Sequence, residues 1–213
     1  MVQKKNIMNY IEYEYKPFSK TQCLVRLILI WILGVLMCMI GKDRLLWLVI
    51  SLMINISIST IFGILIVKYS KAKISRFLCD GLTCLSVSII MALIAYRIFV
   101  LQSKYNWIVA VIFLGIIFMC IFVFTLIVHI KVKSGMFNEP SKNKRNVVWP
   151  YIGATIGVFF ARVFLQDMSM EGAVLVLAIC ILLLSLMVGL GSANLLRAIY
   201  LKQISESPEI GSV

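Results

Sequence analysis

Long apolar runs, each about the width of a bilayer, alternate along this chain with short stretches rich in lysine and arginine. The runs cover roughly 23–41, 45–67, 77–101, 107–128, 147–165 and 173–196. A membrane helix needs about 20 mostly apolar residues, so the pattern predicts six transmembrane helices. The apolar positions are continuous rather than alternating, and a helix satisfies its own backbone within lipid. The expected fold is therefore all-α: a polytopic integral membrane protein built as a bundle of six transmembrane helices.

The polar stretches between the runs set an orientation. Lys4, Lys5, Lys16 and Lys20 precede the first run. Lys68, Lys71, Lys73 and Arg76 separate the second from the third, and Lys131, Lys133, Lys142, Lys144 and Arg145 the fourth from the fifth. The opposite side carries only Lys42, Arg44 and Lys104, together with Asp167 and Glu171 after the fifth run. Excess cationic loops stay on the cytoplasmic side, so both termini are expected in the cytoplasm. Trp47, Trp107, Trp149 and Tyr151 fall near the predicted interfaces, where aromatic belts form.

Residues 1–22 read as a cytoplasmic segment. Ile7, Ile11, Tyr15 and Phe18 recur at helical spacing among lysines, a pattern that suits an amphipathic helix on the inner leaflet; a disordered tail is the competing reading. Residues 23–196 form the membrane domain, and residues 197–213 are expected to be a disordered cytoplasmic tail. No small-residue cleavage pattern follows the first run, so a cleaved leader is not expected.

Composition agrees with this class. Of the 213 residues, 62% are hydrophobic and 14% charged, against about 45–50% and about 25% in soluble domains. The formal net charge of +12 would suggest a nucleic-acid partner in a soluble protein. Here the basic residues lie between apolar runs, so they serve topology, and the expected partner is the lipid bilayer rather than nucleic acid. The six cysteines form no CxxC and are expected as reduced, structural thiols.

Candidate chemistry sorts by depth. In the inner third, Asp80 is the only acidic residue within a run and Arg26 lies at a similar depth. A buried carboxylate is costly unless paired, so Asp80 and Arg26 are a candidate ion pair, with Arg76 one turn from Asp80; a proton or cation site is the alternative. Near mid-depth, Ser51, Asn55 and Ser59 form a polar stripe at four-residue spacing that continues to Gly63, suited to helix packing or to a polar pathway. In the fifth run, Gly153, Gly157 and Ala161 make a packing face. Tyr151, Thr155, Arg162 and Gln166 share another face. Arg97 and Arg162 both sit near the outer ends of outward-running helices, in the similar strings RIFVLQ and RVFLQ. Either each arginine snorkels to the headgroups, or Arg97, Arg162, Thr155 and Gln166 form a cationic rim for an anionic ligand or headgroup.

Catalytic groups are sparse. The single histidine, His129, forms no metal motif, and Cys120 and His129 lean to different helix faces. GLGSAN at 189–194 lacks a base at its depth. No phosphate-binding loop is present, and Asp80 alone cannot hold the metal of a phosphotransferase. No catalytic residue, metal site or cofactor is expected. The first functional expectation is a non-enzymatic transport component, a permease or channel-forming subunit acting in an oligomer or with other membrane subunits. The alternative is an accessory or immunity-type protein that binds a membrane partner, peptide or lipid without moving it; an intramembrane enzyme is third. Abundant lysine and isoleucine suggest a bacterial cytoplasmic membrane.

Overall fold

The computed structural model describes residues 2–12, 19–40, 43–68, 73–101, 107–136 and 169–206. The expected span at 147–165 lies outside them. Among the described residues the chain is helical: α1 (Val2–Glu12), α2 (Lys20–Met39), α3 (Arg44–Lys68), α4 (Lys73–Val100), α5 (Trp107–Lys133), α6 (Met170–Gly189) and α7 (Asn194–Glu206). A single 3-10 turn, Leu190–Ala193, joins α6 to α7. Five stretches are long and apolar enough to cross a membrane: α2, α3, α4, α5 and the continuous run from α6 into α7. The protein is thus an all-helical, multi-pass membrane protein.

Local chemistry sets several boundaries. Ser19 caps α2 by accepting a hydrogen bond from the Gln22 amide at 3.4 Å. Ile40 leaves α2 in an extended conformation. Asp43 then takes φ 57°, a left-handed turn conformation that aspartate tolerates better than most residues. It places α3 antiparallel to α2. Ser169 caps α6 through the Gly172 amide at 3.2 Å.

The bundle is organised around α4. Inside the described structure, 61% of its apolar stretch is buried, against 22% for α2, 22% for α3, 11% for α5 and 17% for α6 with α7. α4 packs against α6 and α7 on one side, α2 on another and α5 on a third, while α3 packs chiefly on α2. Small residues bring α4 and α6 together. Ser88 Oγ donates to the Ser185 carbonyl at 2.8 Å, and Ser185 Oγ donates to the Ser88 carbonyl at 2.7 Å. A Cβ on Gly189 would stand 2.8 Å from Ser88 Oγ, so glycine permits this approach. The pairing is antiparallel: Gly81 meets Leu195, and Gly191 meets Cys84.

Two boundaries depart from the sequence expectation. Residues from 197 onward, expected as a tail, are helical as far as Glu206, because Ala198 and Tyr200 are buried against Phe77, Val128 and Val132. The N-terminal segment is a helix, but it docks on the bundle: Tyr10 is 4% and Ile11 2% exposed, within that same cluster. The two ends of the described chain therefore lie together at one end of the molecule. α5 finishes at this end, whereas α6, antiparallel to α4, starts at the opposite one.

Candidate functional site

At the end of the bundle away from α1, Arg97 is buried inside the protein, only 4% exposed. Its guanidinium carbon lies 4.7 Å from the centre of the Trp47 ring. Trp47 in turn adjoins Tyr96, which meets Phe113 edge-on at 6.3 Å. This corrects the expectation that Arg97 snorkels to headgroups. α3 brings the Trp47 ring across it, and a desolvated cation–π contact of this kind contributes about 2 kcal/mol. It also moves Trp47 from a lipid-facing belt into the core, where it is 1% exposed. The other members of the expected cationic rim, Arg162, Thr155 and Gln166, lie outside the described residues, as does the packing face of Gly153, Gly157 and Ala161.

Between α2 and α3 the structure has a side-opening groove of about 490 Å³. Its floor carries two members of the polar stripe. Ser51 and Asn55 are 4% and 2% exposed and face Gly34 of α2, where an added Cβ would lie 2.6 Å from Ser51 Oγ. Asn55 Nδ2 donates to Ser51 Oγ at 3.4 Å. The third member, Ser59, receives a hydrogen bond from Trp31 Nε1 at 3.0 Å, and its own hydroxyl donates to the Asn55 carbonyl at 2.7 Å. The stripe therefore faces α2. Gly63, its sequence continuation, has no atom of another element within 4 Å of its Cβ direction and takes no part. The groove walls are apolar, from Val35, Leu48 and Leu52, and exposed Arg44 stands at the mouth. A second hollow of about 380 Å³, wholly apolar, continues along α2 and shares Trp31 and Val35 with the first.

At the α1 end the structure brings Asp80 and Arg26 together. Asp80 Oδ1 pairs with Arg26 Nη1, while Oδ2 pairs with Arg76 Nε at 2.8 Å one turn below on α4. Arg76 also donates to Gln22 Oε1 at 2.7 Å. The carboxylate thus ties α4 to α2 through Arg26, at a depth where its side chain is 18% exposed. Next to it the thiols of Cys23 and Cys79, both 1% exposed, meet at 3.3 Å. Arg26 also reaches Cys79 Sγ at 3.8 Å.

The clasp of α1 completes this end. Asn6 donates to the Lys133 carbonyl at 3.2 Å, and Tyr10 donates to the Ala193 carbonyl at 3.5 Å. Arg197 lies over the rings of Tyr10 and Phe77 at 4.7 and 5.6 Å. Burial pushes the Tyr10 phenol above its ordinary value, with the Arg197 charge opposing it. His129 Nδ1 and Tyr200 Oη form a hydrogen bond, which occupies the one histidine of the chain.

Sequence reasoning missed several of these contacts. Asp80 was readable because a carboxylate in an apolar run demands a partner. Ser88 and Ser185 left the same kind of trace, single hydroxyls inside apolar runs, but nothing in the string couples positions 97 apart. Among the described residues, no three metal-ligating side chains converge. Comparison with known proteins finds no family model, no curated protein and no solved structure that matches this chain.

Proposed function

We propose that this is a non-enzymatic, multi-pass component of a bacterial cytoplasmic membrane that works by binding a membrane-embedded partner or lipid. Both termini face the cytoplasm in this reading. The observation that carries it is the groove between α2 and α3, which opens sideways toward the bilayer. Polar side chains within the spans support the same view, because Ser88, Ser185, Trp31 and Ser59 are spent on hydrogen bonds between helices. Close-packed small residues and interhelical hydrogen bonds are how membrane helices associate. A conduit for polar solutes calls for polar groups turned to a central path.

Support for the orientation comes from charge. The end that gathers α1 and α7 also carries Lys5, Lys20, Arg76, Lys131 and Lys133, the signature of a cytoplasmic face. α5 ends there and α6 begins at the far end.

The transport reading stays as the second, favoured by Ser51 and Asn55 on the groove floor. Purified protein in proteoliposomes fused to a planar bilayer separates the two. The binding reading predicts conductance at the level of protein-free membranes. Stepwise currents abolished by Asn55→Leu would replace it with the transport reading.

A further inference from the structure

From the floor of the α2–α3 groove we infer a binding site for one uncharged lipophilic alcohol, a membrane-soluble molecule with a single hydroxyl on an apolar body. The inference rests on the proposed binding role and names the class of ligand. What points to this class is an amide at the floor whose oxygen has no bond.

Asn55 lines the groove and is 2% exposed. Among the described residues its Oδ1 has no hydrogen-bond partner. The other edge of the amide is held. Nδ2 donates to Ser51 Oγ at 3.4 Å and lies against Gly34, where an added Cβ would stand 2.4 Å from it. A buried acceptor left unsatisfied is costly, and the hydrocarbon around the hairpin supplies no donor. Ser51 Oγ accepts the Asn55 bond and keeps its own hydrogen to donate. Acceptor and donor thus stand one turn apart on α3. A single hydroxyl answers both, donating to Asn55 Oδ1 and accepting from Ser51. The other polar side chains at this depth are already spent. Trp31 donates to Ser59 and Cys38 to the Gly34 carbonyl.

Other ligand classes fit the floor less well. Ser51 and Asn55 are neutral, so the floor offers no counter-ion to a carboxylate, a phosphate or an ammonium. Arg44, the charged residue of the lining, stands at the mouth. It lies about eleven residues from Asn55, roughly 16 Å along the helix, which is half of the roughly 30 Å hydrocarbon core. A glycerolipid keeps its polar atoms at the interface and does not bring them to this depth. A bare hydrocarbon reaches the floor but leaves Asn55 Oδ1 without a donor, and a ketone or ester has no hydrogen to give. The walls suit an apolar body. Val35 and Leu48, 55% and 45% exposed, leave the groove open to the bilayer, so the ligand enters sideways without crossing protein. A volume of about 490 Å³ is that of a small-molecule site. A hydroxyl without a partner in hydrocarbon is costly to the ligand as well, so docking satisfies both sides.

The test is photolabelling of the purified protein in micelles by 1-tetradecanol that carries a diazirine on its chain. Illumination should label the α2–α3 hairpin, read by peptide mass spectrometry. Unlabelled 1-tetradecanol should displace the probe at about one tenth of the concentration needed of its methyl ether, which accepts a hydrogen bond but has none to donate. That is the effect of one hydrogen bond. Asn55→Leu should erase the difference between alcohol and ether. Ser57→Ala, on the exposed side of α3, should leave it intact. Thermal unfolding of each variant establishes that it is folded, and Ser51→Ala repeats the test with a milder change that should reduce the difference. Equal displacement by alcohol and ether overturns the proposal, as does a tenfold preference that survives Asn55→Leu. Labelling confined to other helices places the ligand elsewhere and also overturns it. A dimer that Leu48→Trp converts to monomer, with no probe displaced by either compound, assigns the groove to a second copy instead. None of these outcomes depends on the conductance measurement, so the site and the wider role fail separately.

Discussion

Single residues in this protein are decided by whether a polar atom finds a partner before it meets lipid. Asp80 is the clearest case. Asp80→Asn removes the one carboxylate between Arg26 and Arg76, leaving two cations at a partly buried level. The pair is partly solvated, so the loss should be about 1–3 kcal/mol, below the 3–5 expected for a fully buried pair. Unfolding in mixed micelles measures it, and adding Arg26→Gln to Asp80→Asn should recover part of the loss. If the double variant is no better than the sum of the singles, the pair is not coupled. Ser88→Ala should cost about 0.6–1.7 kcal/mol, the range for interhelical hydrogen bonds in membranes, with a matching effect for Ser185→Ala and a larger loss in the double variant, because each hydroxyl bonds the other residue's carbonyl. The need for an Asp80 partner was legible because charge in an apolar run is costly wherever the helix sits. The burial of Arg97 was not. An arginine near the end of a span reads equally as a snorkelling anchor, and only the Trp47 ring, from another helix, decides the matter.

At the scale of elements, the apolar runs gave helix positions well because lipid leaves the backbone no other choice. Ends were less readable. α4 starts at Lys73 and α5 runs to Lys133, past the apolar boundaries, since charged residues extend helices beyond the hydrocarbon. The helical stretch 197–206 and the docked α1 depend on each other and on α5, through Tyr10, Arg197, Val132 and Tyr200. Neither segment is apolar enough to announce this alone. Removal of residues 2–12 should therefore loosen α7, read as faster amide exchange at Ala198 and Tyr200; unchanged exchange there would mean that α1 lies on the bundle without holding it. The Tyr10 phenol is raised above its ordinary 10.0 by burial, so the folded state favours the neutral form. Docking is fully supported below pH 10 and weakens as pH rises beyond it, a loss that Tyr10→Phe should remove. The contact of α2 with α4 has its own probe. Mild oxidation of native membranes with copper phenanthroline should join Cys23 to Cys79, seen as a linked peptide by mass spectrometry. Pairing of Cys23 with Cys84 instead would place α2 at a different height on α4.

For the molecule as a whole, lipid as solvent inverts the usual relation between apolarity and burial. α4 is the least apolar of the five spans and the most buried; α5 is the most apolar and the least buried. That ordering was present in the sequence, in the serines, cysteines and threonine of α4 against the unbroken apolar run of α5. The groove was not, because it arises from the way Gly34 admits Asn55 and Ser51 while the neighbouring Leu48 and Val35 diverge. The central claim is a dry, close-packed interior beside a groove that faces lipid. Its most direct test places a cysteine at position 88 or 55 in a chain whose six native cysteines are replaced by alanine. A membrane-impermeant maleimide is then applied from each side of sealed vesicles. The account predicts no labelling of Ser88→Cys or Asn55→Cys from either side, with Lys131→Cys at the basic end labelled from one side only. Rapid labelling of Asn55→Cys or Ser88→Cys would mean water reaches the middle of the bundle, and the protein would have to be understood as a conduit.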